Sequence, residues 1–280
     1  MTEINQIQMD LIAKEFISHG KKQNCLIDLC IDPKKRAKAI IVTEKSSIIS
    51  GIDLIKSIFL KIDPSLVITC FAIDGSFFEA GQPLMSICGK VKSILYGEQA
   101  AYFFLSRMSG ISNYTKKLSR AISECEITLL ENYRAAYNWK IFEKAAFLCG
   151  GGKHRRFFCS NGITINENQI QASGGVFSAI NTLNETLTGT IKISLITKSL
   201  LLAKLGAKCG VHLLILENLS ISELYAAKKA IGDRCLIEAS GSIDYKKILE
   251  IKKTGVDFIS SDCILSKASI VPVKMTLDRD

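Results

Sequence analysis

The second half of the chain alternates short apolar runs with amphipathic segments, and this pattern restricts the fold more than any other feature. From about Ser119 onward, runs rich in β-branched residues are separated by stretches with helical spacing of apolar residues. The strand-like runs are Ile127–Leu130, Gly162–Ile165, Thr190–Ile196, Val211–Leu216, Cys235–Ile237 and Asp257–Ser260. Strands that alternate with helices pair in parallel through right-handed crossovers. The pattern therefore predicts an α/β barrel or an open parallel sheet with both faces covered.

The first hundred residues mix helix and strand signals without this regularity. Ala37–Val42 and Leu66–Ile73 are short β-branched runs that predict strands. Gly97–Arg107 begins a long helix, which Gly110 is expected to interrupt.

Composition excludes several classes of protein for this 280-residue chain. The net charge is +9, but lysine and arginine are spread along the chain and are not interleaved with aromatic residues as nucleic-acid binding would require. A basic pocket for a small anionic substrate explains the charge as well. No apolar run approaches the ~20 residues of a membrane span. Ten cysteines without a CxxC pair and a polar N-terminus predict reduced thiols in a cytoplasmic protein without structural zinc.

Polar residues follow the strand-like runs at the points where the runs end. These clusters are Glu131–Arg134, Asn166–Gln169, Glu217–Asn218, Glu238–Gly241 and Ser261–Asp262. In α/β barrels the site is built at the carboxyl ends of the strands. We therefore expect the clusters to line one cavity, although loops are polar in any protein.

A glycine-rich segment precedes the densest group of cationic residues. Gly150, Gly151 and Gly152 are followed by Lys153, His154, Arg155 and Arg156. Guanidinium groups bind phosphate and carboxylate through paired hydrogen bonds, so this segment is a candidate anion-binding turn. The alternative is a solvated basic loop after a helix.

Together these residues resemble the quinolinate phosphoribosyltransferase family, also called nicotinate-nucleotide pyrophosphorylase. The resemblance covers most of the chain. Its motifs occur in order: Asp74-Gly75, Glu79–Leu84, Arg107–Ser112, Glu143–Ala146, Cys149–Gly152, Asn166–Gln169, Glu217-Asn218, Glu238–Gly241 and Thr254–Ser260.

The resemblance implies an N-terminal α/β sandwich and a C-terminal seven-stranded α/β barrel. The sandwich would comprise residues 1–112, joined by about 268–280, and the barrel residues 113–267. The family is homodimeric with active sites shared between subunits. Its reaction joins quinolinate to phosphoribosyl pyrophosphate with Mg²⁺ and releases pyrophosphate and CO₂, which leaves nicotinate mononucleotide for NAD biosynthesis.

The resemblance also assigns candidate site residues. Arg134, Arg156 and Glu217 are the candidate catalytic residues. The candidate substrate-binding residues are Asn132, Tyr133, Lys140, Lys153, His154, Arg155, Asn166, Asn168, Ser240, Gly241, Ser261 and Asp262. Small anions are thus the expected ligands, with no nucleic acid or membrane partner.

Several positions depart from the family pattern. Gln99 and Asn166 stand where the family has an arginine and the catalytic lysine, and Asp262 stands where it has a glycine in a phosphate-binding turn. Losing one charge-assisted contact to a buried anion costs on the order of 2–5 kcal/mol. Two hypotheses follow: a quinolinate-type phosphoribosyltransferase, or a ModD-like or non-catalytic homologue that binds a phosphate-bearing or pyridine-carboxylate ligand without this turnover.

Overall fold

The chain forms two compact units, seen in a computed structural model that describes residues 10, 11, 14, 31–131, 139–155, 162–187 and 191–278. The first, here called the N-terminal unit, comprises Met1–Thr115, Ala135–Gly151 and Ala268–Asp280. The second, here called the parallel-sheet unit, comprises Lys116–Arg134 and Gly152–Lys267.

The N-terminal unit is built on a four-stranded antiparallel sheet. The order of its strands is β12 (Val273–Leu277), β1 (Arg36–Thr43), β5 (Pro83–Lys90) and β3 (Val67–Cys70). Its elements are β1 (Arg36–Thr43), β2 (Ser47–Ile48), α1 (Ile52–Ile62), β3 (Val67–Cys70), β4 (Phe77–Phe78), β5 (Pro83–Lys90), α2 (Val91–Ala121), whose last residues belong to the other unit, α3 (Lys140–Cys149) and β12 (Val273–Leu277). The two strands predicted from sequence are present as β1 and β3. The last strand of the chain pairs with the first, with Ile41 opposite Met275.

Helix α1 starts where Asp74 caps it from a distant loop. One carboxylate oxygen of Asp74 accepts hydrogen bonds from the backbone amides of Gly51 and Ile52, both at 2.8 Å. Gly51 has φ 109°, which glycine adopts without steric cost. The helix then buries Ile55, Ile58 and Phe59 in the core, an arrangement expected of an amphipathic helix that covers a sheet.

The prediction that Gly110 interrupts the long helix is wrong. Helix α2 runs unbroken from Val91 to Ala121. A Cβ atom at position 110 would lie 2.1 Å from the carbonyl oxygen of Ser269. The glycine therefore permits close approach of the returning chain and has no helix-breaking role at this position.

The parallel-sheet unit confirms the predicted alternation of strands and helices. Its elements are β6 (Thr128–Leu130), β7 (Gly162–Ile165), α4 (Glu167–Ala172), α5 (Val176–Thr186), β8 (Lys192–Thr197), α6 (Leu200–Lys208), β9 (Leu213–Glu217), α7 (Ile221–Ile231), β10 (Leu236–Gly241), α8 (Tyr245–Ile251), β11 (Phe258–Ser261) and α9 (Cys263–Ser266). The strands form one parallel sheet in the order β6-β11-β10-β9-β8-β7. This is the barrel-like domain that the sequence predicts.

Six of the seven strands expected from the resemblance lie within the described residues. Beyond β6 the sheet is extended by a single parallel bridge between Leu130 and Lys153. The backbone amide of Lys153 donates to Leu129, and that of Glu131 donates to Lys153. The segment after the glycines thus pairs with the edge of β6 that faces away from β11.

The two faces of the parallel sheet carry different residues. Leu195 and Leu214 contact the position of Gly206 on α6, so they lie on the helix-covered face. Because side chains alternate along a strand, Ser194, Ile215 and Glu217 lie on the opposite face. Register places Glu238, Ser240 and Ser260 on that same inner face. The inner face therefore becomes polar toward the carboxyl ends of β9, β10 and β11.

Within the described ranges, no helix is both long and apolar enough to cross a membrane. The seven cysteines in those ranges all carry free thiols, as the sequence predicts.

Candidate active site

A buried ion pair lies at the inner face of the parallel sheet. Both terminal nitrogens of Arg155 bind the Glu238 carboxylate: Nη1 donates to Oε2, and Nη2 donates to Oε1 at 2.6 Å. Arg155 also donates from Nε and Nη2 to the carbonyl oxygen of Glu131, both at 3.2 Å. The side chains of Arg155 and Glu238 are 2% and 0% exposed. A buried pair of this kind persists only when its hydrogen bonds are well satisfied, as they are at this site.

This geometry corrects the expectation that Arg155 binds substrate. Its guanidinium group is enclosed and already bound by a carboxylate and a carbonyl oxygen. Arg155 therefore fixes the segment after the glycines to β6 and β10, and the exposed Lys153 and half-exposed His154 precede it.

Two serines extend the buried polar network toward the strand ends. The hydroxyl of Ser260 on β11 bonds to the Glu238 carboxylate and lies 2.9 Å from the hydroxyl of Ser240 on β10. Ser240 is half-buried, so the network reaches from the ion pair to the surface at the carboxyl ends.

Glu131 joins the end of β6 to the basic segment. One of its carboxylate oxygens lies 3.3 Å from His154 Nδ1, and the other accepts from the backbone amide of Arg155 at 3.4 Å. The carboxylate is mostly buried, whereas the His154 ring is more than one-third exposed. His154 therefore lies at the rim with a carboxylate behind it.

Asn166 and Asn168 follow β7, and the structure gives Asn166 a local role. The Asn166 side chain accepts from the backbone amide of Gln169 at 3.0 Å, and the Gln169 side chain accepts from the Asn166 amide at 2.9 Å. This reciprocal pair is a capping box at the start of α4. The asparagine that replaces the family's lysine is thus a helix cap. Asn168 is exposed on the first turn.

Sequence reasoning placed Glu167 in the polar cluster after β7 without assigning it a role, and it missed Lys198. Glu167 accepts from the Thr197 hydroxyl at 2.6 Å and from the Lys198 amide at 2.7 Å. The bond from Thr197, followed by that from Lys198, lowers the pKa of the Glu167 carboxyl. Lys198 in turn places Nζ 3.6 Å from Glu217 Oε2. Lys198 could have been found, because Thr197 and Lys198 directly follow a predicted strand.

The turn after β9 requires two unusual backbone conformations. Asn218 has φ 57°, and its side chain accepts from the Ser242 amide at 3.0 Å. Gly241 has φ 118°, and a Cβ atom there would lie 2.1 Å from Asn218 Oδ1. Glycine is therefore required at position 241, and the turn places Glu217 beside the end of β10.

Ser261 is a second correction to the expected substrate contacts. The residue is fully buried, and its hydroxyl donates to the carbonyl oxygen of Ile243 and accepts from the Cys263 amide. It shapes the turn before α9 and offers no hydroxyl to a ligand. Asp262 is half-buried at the start of this short helix, and its backbone amide donates to Gly241 at 3.0 Å.

The remaining expected residues fall outside the described residues or in the N-terminal unit. Asn132, Tyr133, Arg134 and Arg156 lie outside the described residues. Lys140 begins α3 in the N-terminal unit and is exposed.

At the carboxyl ends of the parallel strands, the residues that the structure describes combine carboxylates with exposed cations and polar hydroxyls. Each of Arg155, Lys198 and His154 faces a carboxylate, from Glu238, Glu217 and Glu131 respectively. No cluster of three or more metal-binding side chains occurs among the residues that the structure describes. The edge is suited to a polar, charged ligand. Fold and edge together define a two-unit α/β protein with a candidate site at the carboxyl ends of parallel strands.

Comparison with known proteins gives the family. The chain matches the model of the quinolinate phosphoribosyl transferase C-terminal domain over residues 111–276 and that of the N-terminal domain over residues 24–109. The chain therefore belongs to the quinolinate phosphoribosyltransferase family, a family of pentosyltransferases.

Individual relatives and solved structures agree with this membership. The chain is 26% identical to a probable nicotinate-nucleotide pyrophosphorylase (carboxylating) of Synechocystis sp., over 88% of this chain and 84% of that protein. It is 28% identical to quinolinate phosphoribosyltransferase (decarboxylating) 1 of Nicotiana glauca, over 87% and 74%. The crystal structure of NadC from Streptococcus pyogenes superposes with a TM-score of 0.86 at 26% identity, covering 99% of both chains.

Proposed function

We propose that this protein is a quinolinate-type phosphoribosyltransferase, which forms nicotinate mononucleotide, pyrophosphate and CO₂ from quinolinate and phosphoribosyl pyrophosphate in NAD biosynthesis. The observation that carries the proposal is the polar inner face of a parallel sheet, which ends in Glu217, Ser240 and Ser260, in a chain that matches both domains of the family. We further propose a cytoplasmic homodimer with active sites shared between subunits.

The reaction places two electrostatic demands on the site. Positive charge develops on the ribose ring as pyrophosphate departs, and the leaving group carries negative charge. Glu217 lies at the end of β9 with its carboxylate 16% exposed, in a position to face the ribosyl cation. Lys153, His154 and Lys198 are the described groups that would bind anionic oxygens, together with Arg134 and Arg156 from outside the described residues.

Mg²⁺ would arrive with phosphoribosyl pyrophosphate. It commonly binds through one or two carboxylates plus substrate phosphates, and Glu217 offers one such oxygen ligand. The bound ion would neutralise charge on the departing pyrophosphate. Among the chain's own residues, Gly241 keeps the turn beside this position narrow, and Ser240 presents its hydroxyl next to it.

The test is a pyrophosphate-release assay with quinolinate, phosphoribosyl pyrophosphate and Mg²⁺. We expect turnover by the unchanged protein and a loss on the order of 100-fold in Glu217→Gln, because a charge that faces the transition state is removed. Glu185→Gln, an exposed glutamate on α5, is the matched control and should keep full activity. Absence of turnover in the unchanged protein would contradict the proposal.

A second candidate function is a homologue that binds these ligands without turnover. Two observations favour it: Asn166 is used as a helix cap, and Arg155 is neutralised by Glu238. Calorimetry separates the two functions. Binding of phosphoribosyl pyrophosphate or quinolinate with no product formed would support the second, and product formation would exclude it.

A further inference from the structure

A cavity of about 470 Å³ lies at the amino ends of the parallel strands, away from the site described above. Lys192 is the first residue of β8, His212 directly precedes β9, and Leu236 is the first residue of β10. All three line the cavity, with Val211, Lys228 and Arg234. Glu217 and Ser240 lie at the other ends of β9 and β10, so the two positions are separated by the length of the strands.

The His212 ring presents a fixed hydrogen-bond donor to this cavity. Its Nδ1 accepts from the backbone amide of Ile193 at 3.1 Å, so the neutral ring carries its proton on Nε2. Burial, followed by the neighbouring Lys192, lowers the pKa of His212 and favours this neutral form. Backbone bonds from His212 to Ile193 and from Leu236 to His212 hold the residue between β8 and β10.

The cavity is lined by three cationic side chains and two carboxylates, and Lys228 lies beside both carboxylates. Lys228 Nζ lies 3.6 Å from Asp257 Oδ1 and 3.9 Å from Asp233 Oδ1. The other oxygen of Asp257 accepts from the Ile237 amide at 2.8 Å. Within the described ranges, Lys192 forms no ion pair, and Arg234 donates only to one backbone carbonyl, that of Ala230. Lys192 and Arg234 therefore remain available to an incoming anion.

Part of the cavity wall is apolar. Leu236 lines the cavity and is 39% exposed, whereas Val211, also in the lining, is almost fully buried. Pockets that hold small organic ligands are mostly apolar, with a few polar groups that fix orientation, and range over about 300–1,000 Å³. An inorganic ion alone would leave this apolar wall uncovered.

We propose that this cavity is a second binding site, for a small phosphate monoester that carries an apolar or aromatic group, such as a nucleoside monophosphate. Lys192, Arg234 and the Nε2–H of His212 would bind the phosphate, and Leu236 would contact the organic group. The proposal does not depend on catalysis at the opposite ends of the strands.

Calorimetric titration of the full chain with AMP, in the absence of other ligands, tests the proposal. Lys192→Gln/Arg234→Gln should weaken AMP binding at least about 10-fold, because two charge-assisted contacts are lost. The matched control is Lys246→Gln/Arg120→Gln, which removes the same charge from two exposed positions outside the cavity and should bind as the unchanged protein does. Thermal melts of both double variants verify that they fold.

Two results would overturn the proposal: no AMP binding by the unchanged protein, or equal affinities in the cavity variant and the control. The ligand class is tested separately with inorganic phosphate. It should bind at least about 10-fold more weakly than AMP because it buries no apolar surface against Leu236. Phosphate that binds as tightly as AMP would overturn the assignment of an organic ester.

Discussion

Two cation–carboxylate pairs in the parallel-sheet unit differ in burial: one lies on the inner face of the sheet, and the other lies at the carboxyl ends of its strands. Arg155 and Glu238 are 2% and 0% exposed, and Nη2 lies 2.6 Å from Oε1. Lys198 and Glu217 are 67% and 16% exposed, with Nζ 3.6 Å from Oε2. The first pair is shielded from water, whereas the attraction between Lys198 and Glu217 is screened by the solvent around the lysine.

The difference shows which cation can serve a ligand. Removing either partner of the buried pair leaves an uncompensated charge in the interior, so Arg155 cannot exchange Glu238 for a substrate at low cost. Lys198 can release Glu217 and bind an incoming anion with little change in stability. Basic residues that look equivalent in the sequence therefore divide into a structural cation and an available one.

The largest expected effect comes from breaking the buried pair. Glu238→Gln should lower the free energy of unfolding by about 3–5 kcal/mol, because Arg155 remains charged and unpaired. Urea denaturation measures the change, and Glu185→Gln serves as the exposed control. In the double variant Arg155→Met/Glu238→Gln much of the loss should be recovered, since the orphaned charge is gone. A loss below about 1 kcal/mol in Glu238→Gln would contradict the strong coupling assigned to this pair.

Removing the exposed hydrogen bond by which Asn166 caps α4 should lower the free energy of unfolding by an intermediate amount. Asn166→Ala removes the cap of α4 and should cost about 1 kcal/mol, whereas Asn166→Asp keeps an acceptor and should cost little. Asn166→Lys should lose the same cap, so its activity must be compared at equal fraction folded. Identical unfolding curves for the alanine and aspartate variants would show that the cap contributes nothing.

The bonds to Glu167 predict a pH-dependent effect smaller than that of the cap. Its folded pKa is lowered, so the stabilisation is complete above the ordinary glutamate pKa and is lost as the pH falls through the lowered value. Thr197→Val, which removes the main cause of the shift, should therefore be less stable than the unchanged protein at neutral pH. The two should converge in acid, which thermal melts across the pH range would detect. A constant difference would rule out this linkage.

Breaking the exposed pair should have the smallest effect. Lys198→Gln is expected to change the free energy of unfolding by less than about 0.5 kcal/mol, and the change should shrink further in high salt. Urea denaturation at two salt concentrations measures it. A loss of unfolding free energy as large as that of Glu238→Gln would contradict the division into a buried structural pair and an exposed, weakly coupled pair.

Much of the fold could be predicted from sequence because local pattern determines it. The six strand-like runs correspond to β6–β11, because apolar, β-branched runs between amphipathic segments form strands that alternate with helices. Gly110 was misjudged because the reason for a glycine there is Ser269, which lies far along the chain. A pattern confined to neighbouring residues carries no signal of such a contact.

The site could likewise be predicted only where it does not depend on contacts between residues far apart in the chain. The location of Glu217 and Ser240 at strand ends follows from topology alone. The burial of Arg155 does not, because it depends on pairing with Glu238, 83 residues away. Lys198 was within reach, since the rule applied to five other strand ends would have found the end of β8 as well.

The return of β12 to the first sheet has a consequence for biosynthesis. Val273–Leu277 pairs with β1 and forms one border of that sheet, so its partner strand emerges from the ribosome more than two hundred residues earlier. Until translation reaches those residues, β1 exposes an unpaired edge to other chains in the cell. Nascent protein should thus depend on chaperone protection for most of its elongation time, and stalled translation products should be more prone to aggregate than the released polypeptide.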